Sequence, residues 1–555
     1  MTRKMPSLSS DFAGSVSAAI GSLLLMGGLI SSQLFAQEAK SSDDYFDETK
    51  VVTLFSFDDV SIPFTQNLKL QMRSAKRHAA NPVVQRGEDG STDSWAVQFY
   101  GSVIRVDDKY KMWYVSVGDE RYDKTLPRSE PWKVAYAESD DGVHWTKPNL
   151  GLVEIQGDSN NNLVLMKPHL GTLNVKVLYE PDEPNPDRRY KMGAHVWFPK
   201  NDVRLGAFAP YVSPDGINWK LLPQTTPVNA EFPEKDLVLP ALHIEPVGGM
   251  FKWDGLYRIS GQNAIAAARP YHGRVSREFI SGDFENWSQA SAISMVRTPQ
   301  HTLLGPGRSR EGEQTHEGIS VWNRNNVLLG ISGLWHGTAE WKGVTIDLGF
   351  VVSNDGVNFR EPLHDWTFLK RGKDGAWDQG GLLQGQGFEN IGEQTFVYYG
   401  AWDPRGWEKS PKRGGVGIAT VPRDRFADLS VDTTTTGSGN YQMPKTVSEF
   451  LTKSIDIASD TSSRFYLNAD GLGDQAVLKI ELLDHKLVPL PKYSGKHAAI
   501  VRTNGFQTPI TWGEETSLSN LPNRVRFKVT FEGQKKTDIR FNALYIRSET
   551  QKVEH

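Results

Sequence analysis

Four carboxylates in this sequence stand where chemistry could be built. Glu317 opens the run His316-Glu317-Gly318-Ile319-Ser320-Val321-Trp322, which a polar turn, Asn323-Arg324-Asn325-Asn326, joins to Val327-Leu328-Leu329-Gly330-Ile331-Ser332. Two apolar runs about a polar turn predict a β-hairpin with the carboxylate near one end. Glu180 and Glu245 each precede a proline, and Asp93 follows Ser91-Thr92. Paired carboxyls suit cleavage of a glycosidic bond. One stays protonated to protonate the leaving oxygen, and the other is ionised to activate water or attack the sugar carbon. Crowding in a narrow space separates their pKa values through burial and like-charge repulsion. Each acid also has a plain structural use: backbone donors can satisfy Glu317, Glu-Pro can open a loop, and Asp93 can be a turn acid.

Side chains suited to holding a sugar accompany them. They are His316, His195 with Trp197, Arg269 with Tyr271 and His272, Trp335 with His336, and Trp402 with Asp403. Aromatic faces stack on sugar rings and charged donors orient them, although tryptophan more often serves to pack a fold. Arg269, Arg308 and Arg310 would suit an anionic sugar, uronic or sulfated.

A repeated turn reveals the elements that must position these residues. Ser139-Asp140-Asp141-Gly142-Val143-His144-Trp145, Ser213-Pro214-Asp215-Gly216-Ile217-Asn218-Trp219, Ser281-Gly282-Asp283-Phe284-Glu285-Asn286-Trp287 and Ser353-Asn354-Asp355-Gly356-Val357-Asn358-Phe359 recur about 70 residues apart. Each follows a strand-like run, and the pattern reads as a structural turn with the aromatic residue starting the next strand. Strand-like runs such as Tyr110-Lys111-Met112-Trp113-Tyr114 and Thr395-Phe396-Val397-Tyr398-Tyr399 repeat in phase. The spacing suits four-stranded blades, so the expected fold is all-β, a five-bladed β-propeller followed by a C-terminal β-sandwich. The last unit lacks the turn box. The N-terminal run Val51-Val52-Thr53-Leu54-Phe55-Ser56-Phe57 is expected to supply its missing strand and close the ring.

The chain has 555 residues, a net charge of −4 and no cysteine. That length implies more than one domain, and no basic stripe marks a nucleic-acid surface. Residues 1–36 read as a secretory signal peptide: Arg3 and Lys4, an apolar run over 16–30, then a cleavage site after Ala36. The expected organisation is this signal, a propeller catalytic domain over 50–430 and a sandwich over 447–550, joined by Thr433-Thr434-Thr435-Thr436-Gly437-Ser438-Gly439. A secreted or periplasmic location follows, with no membrane attachment once the signal is removed, and oligomeric state is left open.

The runs Tyr110-Lys-Met-Trp-Tyr, Val134-Ala-Tyr-Ala-Glu-Ser-Asp-Asp-Gly-Val-His-Trp-Thr-Lys-Pro-Asn-Leu-Gly and Tyr398-Tyr-Gly resemble secreted bacterial proteins related to the five-bladed propeller glycoside hydrolases, of family 43 and family 32 type. The resemblance spans 51–429. It implies three acids at the starts of innermost strands: a base or nucleophile, an acid that tunes, and a Glu acting as general acid. Glu317-Gly318 matches the general-acid position, and Glu180-Pro181 and Glu245-Pro246 stand where the tuning acid is expected. Blade one departs from the pattern, since no carboxylate stands near Tyr100-Gly101 and Asp93 is the nearest upstream acid. The implied activity is hydrolysis of poly- or oligosaccharide without a required cofactor. A Ca²⁺ ion in the channel would be in keeping with the resemblance, yet no calcium-loop spacing is present. A glycan-binding propeller without catalysis is the alternative that the missing acid favours. A phosphorylase would need a basic phosphate pocket beside the acids.

Overall fold

Strands buried on both faces form the centre of the molecule. The computed structural model describes residues 45–126, 130–200, 203–222, 244–264, 274–288, 290–297, 314–337, 341–405, 412–434, 447–457 and 461–550. The expected signal peptide lies outside the described residues. By contacts the chain falls into two units, Met1–Ala39 and Lys40–His555, and every described residue belongs to the second. Among the described residues no helix is long and apolar enough to cross a membrane.

The middle of the chain is a β-propeller. Five antiparallel meanders are traced among the described residues, with inner strands Ala96–Val106, Thr172–Tyr179, Ile244–Trp253, Gln314–Asn323 and Gly381–Ile391. We number these blades one to five. Each inner strand packs against the next, and the fifth packs against the first, closing a ring about a central channel. Ala96–Val106 and Gly381–Ile391 are buried along most of their length.

The four turn boxes share one geometry. In the second, Asp215 Oδ1 accepts from Ser213 Oγ at 2.9 Å and from the backbone N–H groups of Ile217 and Asn218 at 2.8 Å, while Gly216 N–H donates to Ser213 Oγ at 2.9 Å. Trp219 Nε1 then donates to the Gly216 carbonyl at 2.9 Å. The residue after the aspartate has positive φ in every copy: Gly142, Gly216, Gly356 and, in the third box, Phe284 at 68°. Only the short polar turn and its aromatic lock are at work here, so the motif is structural.

Ring closure differs from the expected arrangement. The outermost strand of blade five is Lys76–Arg77, paired with Val416–Pro422. Val52–Phe55 instead pairs with Arg540–Thr550 in the sandwich. The cause is burial: Leu54 sits in the sandwich core and Phe55 in the core shared with the propeller, whereas an outer blade edge offers only one covered face. Lys76 and Arg77 are exposed and suit that edge.

The sandwich draws strands from both sides of the propeller in sequence. One sheet joins Leu68–Met72, Ala427–Val431, Arg540–Thr550, Thr461–Asp470 and Gly505–Ile510; the other includes Phe64–Gln66, Glu449–Leu451, Arg524–Glu532 and Val477–Asp484. Val52–Phe55, Phe64–Gln66, Leu68–Met72 and most of Ala427–Val431, expected within the propeller, therefore belong to the sandwich sheets. A common core containing Phe57, Phe350, Phe368, Phe426 and Tyr545 fuses sandwich and propeller. At its edge Arg324 and Asp424, both fully buried, make a bidentate pair at 2.5 and 2.9 Å, and Tyr545 Oη donates to Asp424 at 2.8 Å.

The turn boxes predict an acid weakness. Against the upward push of burial, hydrogen bonds within the box hold Asp283 and Asp355 at about 2, below the ordinary 3.8. A carboxylate whose folded pKa is depressed lends stability that is complete above its unfolded pKa and lost as pH falls through the folded value. Thermal midpoints should therefore drop between about pH 4 and pH 2. Asp215→Ala should lose about 1 kcal/mol of unfolding free energy at neutral pH. Urea titration of both proteins checks it; equal midpoints would contradict the structural role.

Candidate functional site

The inner strands break register where they cross the channel, and the breaks build the site. In blade four the break lies between His316 and Ile319, and Glu317 and Gly318 fill it with φ of 61° and 87°. A glutamate at positive φ is a strained placement that surrounding structure must hold. Blade three does so. A Cβ at Gly248 would stand 1.4 Å from the Glu317 carbonyl oxygen, and one at Gly249 1.8 Å from that of Ile319. Only glycine permits this approach of two backbones. Glu245, three residues before Gly248, thereby comes within hydrogen-bonding reach of the Glu317 carboxyl.

The pair is enclosed by fixed polar groups. Asn174 Nδ2 donates to Glu317 Oε2 at 2.8 Å, and the Glu317 backbone N–H donates to Gln262 Oε1 at 2.8 Å. Arg274 donates to the same Gln262 oxygen at 3.1 Å, stands 3.6 Å from Glu245 Oε2 and lies over the Trp335 ring at 4.2 Å. Tyr100 Oη and His316 Nδ1 are 3.2 Å apart, and the His316 ring packs on Trp335 at 5.1 Å. Lys176, wholly buried, donates to the Tyr100 carbonyl at 2.7 Å.

Electrostatics assign the protons. Burial, and after it the Glu245 charge, push Glu317 well above the usual carboxylate range, with Arg274 and Asn174 opposing. Glu245 keeps some exposure and lies beside the Arg274 guanidinium. Burial lowers Lys176 to about 7 against the pull of Glu317. Burial and then Arg274 keep His316 well below its ordinary value, a neutral imidazole at pH 7. The arrangement can present a protonated Glu317 carboxyl in contact with a second carboxyl.

The expected acids divide between three places. Glu317 and Glu245 meet. Glu180 does not join them: it follows the last residue of blade two's inner strand, at the opposite end of the channel, and is held by Lys191 at 2.6 Å, Lys252 at 2.5 Å and Tyr257 Oη at 2.6 Å. It is a structural carboxylate there, ionised because those donors outweigh burial. Asp93 is buried outside the channel and takes hydrogen bonds from Tyr114 Oη at 3.0 Å, Lys147 Nζ at 2.6 Å and Gly87 N–H at 3.0 Å. Its turn is satisfied locally.

The expected sugar-binding residues also separate. His316 and Trp335 are buried in the wall of the site, and His195 is buried directly opposite Asn174 in register. Trp335 and His195 thus pack the wall and expose no face to a sugar. His336 points to Asp347 at 3.4 Å, and Trp402 lies under the Arg413 guanidinium at 4.5 Å. The Trp197 side chain, and Arg269, Tyr271, His272, Arg308 and Arg310 altogether, lie outside the described residues.

Amides occupy positions where acids were expected. Gln98 in blade one and Asn174 in blade two stand within the first four residues of their strands, as Glu245, Glu317 and Gln384 do in theirs. Gln98 donates to the Leu173 carbonyl at 2.9 Å and accepts from Arg413 at 2.9 Å. The alternation Asn174-Val175-Lys176-Val177 in an otherwise apolar strand is a sequence signal for the two residues it sends into the channel. Nothing comparable marks Gln262 or Arg274.

The channel does not fit a hard cation, because its carboxyl pair is flanked by Arg274 and Lys176. The one metal-like cluster among the described residues, Glu361, His364 and Asp365, is bridged by Arg297, 3.8 Å from Glu361 and 2.5 Å from Asp365.

No family model and no curated protein matches the chain. Among solved structures it is similar to a glycosyl hydrolase from Bacteroides ovatus, with 14% identity and a TM-score of 0.39 over 64% of this chain and 95% of that one. It is also similar to a thermostable family-43 glycoside hydrolase, with 14% identity and a TM-score of 0.37 over 62% and 96%. A third likeness, with 15% identity and a TM-score of 0.38 over 63% and 94%, is to a structure described under the GH130 family of mannoside phosphorylases, which contains glycoside hydrolases that target β-1,2 mannosidic linkages in Candida mannan. Likeness at this level carries no argument, so fold and chemistry rest on this chain's own strands and side chains.

The close backbone approach makes a prediction. Gly248→Ala should cost about 1–3 kcal/mol by overpacking, whereas Gly473→Ala, with nothing within 4 Å of its added methyl, should leave stability unchanged. Differential scanning calorimetry of the two variants compares them directly.

Proposed function

We propose that the chain is an enzyme that cleaves glycosidic bonds in poly- or oligosaccharides, with Glu317 as general acid and Glu245 as its carboxylate partner. The observation that carries this reading is a carboxyl pair, Glu317 buried and Glu245 partly exposed, in hydrogen-bonding contact at one end of a propeller channel. In contact the two are closer than the roughly 5 Å of a retaining pair or the roughly 6.5–9.5 Å of an inverting pair. A sugar entering between them would part them, leaving Glu317 to protonate the leaving oxygen and Glu245 to act as base or nucleophile. Asn174 and Gln262 hold Glu317 in place, and Arg274 holds Glu245. The substrate is a carbohydrate. The N-terminal sequence supports export to the periplasm or medium.

One observation favours the non-catalytic alternative, a glycan-binding propeller: amides at Gln98 and Asn174 stand where further acids would complete a hydrolytic set. Product release from neutral, uronic and sulfated glycans separates the two. Glu317→Gln and Glu245→Gln should each lose about 10²-fold or more in kcat while remaining folded. Because the acid must be protonated, activity should fall as pH rises through the upper titration of the pair, above the ordinary carboxylate range. Binding without product release by the native protein would establish the alternative.

A further inference from the structure

The channel has a second chamber that the carboxyl pair does not reach. Midway along, Gln386 spans from blade five to blade three: its Oε1 accepts the Met250 N–H at 2.8 Å, and its Nε2 donates to the Met250 carbonyl. Below this crossbar a cavity of about 1050 Å³ opens among the far ends of all five inner strands, and residues 45–50 form part of its lining. That volume is at the upper end of pockets that enclose small organic ligands.

The lining's chemistry narrows the ligand. Most of its charges are already balanced within the protein: Glu180 by Lys191 and Lys252, Glu48 by Arg423, and Asp47 by Lys50. A ligand carrying net charge of either sign would meet like charges from these pairs without a spare counter-charge. Two lining carboxylates among the described residues stand outside these pairs: Asp107, which is exposed, and Glu389, which is half-buried. No side-chain cation lies within ion-pair distance of Glu389 among the described residues; its carboxyl takes a hydrogen bond from the Arg105 backbone N–H. It lines the cavity, where its remaining accessible surface opens. A half-buried carboxyl with one backbone hydrogen bond keeps capacity for a further partner in the cavity. Tyr179 and Asn323 add a phenol and an amide to the same wall.

We propose that this lower cavity is a second carbohydrate-binding site, separate from the carboxyl pair, that takes a neutral saccharide of one to three residues with Glu389 donating to a sugar oxygen. Burial supports the donor role, since it raises Glu389 to about 8, with Arg105 opposing, and so leaves it protonated at pH 7. The groups that face it are Arg105 from blade one, Tyr398 from its own blade, Glu180 and Lys252 across the cavity, and Glu48 and Arg423 below. Glu389 is the group among them placed to change charge between pH 7 and pH 9.

Calorimetric titration of the full chain carrying Glu317→Gln tests this, with cellobiose, xylobiose and mannobiose as probes. At least one should bind. Its affinity should fall about tenfold from pH 7 to pH 9, as the donor ionises. Adding Glu389→Gln should preserve the pH 7 affinity and abolish the pH dependence, because the amide keeps an uncharged donor. Adding Glu389→Ala should weaken binding about tenfold. The inference is overturned if none of the three binds, if the pH dependence survives in Glu389→Gln, or if a folded Glu389→Ala variant binds undiminished. Because the readout is binding in a protein lacking the proposed acid, its failure is distinct from absence of hydrolysis by the native chain.

Discussion

Two backbones touching at Gly248 and Glu317 set the geometry on which the site depends. Blade four must bulge there, with two successive residues at positive φ, and blade three must offer glycine to receive the bulge. The strain of a left-handed glutamate is of order 1–3 kcal/mol, small beside the burial energy of the blades that enforce it. What the strain achieves is placement. The Glu317 carboxyl is turned from the alternating strand pattern into the channel, against Glu245 and under Asn174.

The same channel is tied together by amides. Gln384 donates to the carbonyls of His316 and Gly318, on either side of Glu317, and Gln386 bridges to Met250. Lys176 reaches from blade two to the Tyr100 carbonyl in blade one. Neutral amides can join blades across a narrow axis without the desolvation cost of additional ions. They also divide the channel into two chambers of different character, one holding the Glu317 and Glu245 carboxyls and the other Glu389. The sandwich stands apart from this chemistry. It covers apolar faces of blades four and five and closes over the buried Arg324–Asp424 pair, whose disruption would cost about 3–5 kcal/mol.

Much of the architecture was legible in the sequence, because strands and turns are local. The Ser-x-Asp-Gly boxes carry their hydrogen bonds within six residues, and the hairpin at Glu317 is announced by its own turn. Glu245 could be picked out beside Glu317 since each lies near the start of an inner strand. Glu180 misled for the same reason in reverse: its proline resembles that of Glu245, but it lies after its strand, and a strand's two ends are opposite ends of the channel. Asp93 precedes its strand by too much to enter. Val52–Phe55 was drawn to the sandwich by two-sided burial that only the partner strand, nearly 500 residues away, can reveal. Asn174, Gln262 and Arg274 matter through contacts between blades, which local patterns do not encode.

Infrared spectroscopy of the carboxyl groups tests the central claim most directly. With ¹³C-labelled glutamate, the native chain at neutral pH should show protonated carboxyl C=O absorption that loses one component in Glu317→Gln while the Glu389 component stays, whereas Glu245→Gln should keep the Glu317 component and move its titration, because the neighbouring carboxyl has gone. A spectrum unchanged by Glu317→Gln would mean that Glu317 is ionised, and the pair would then hold no proton to give.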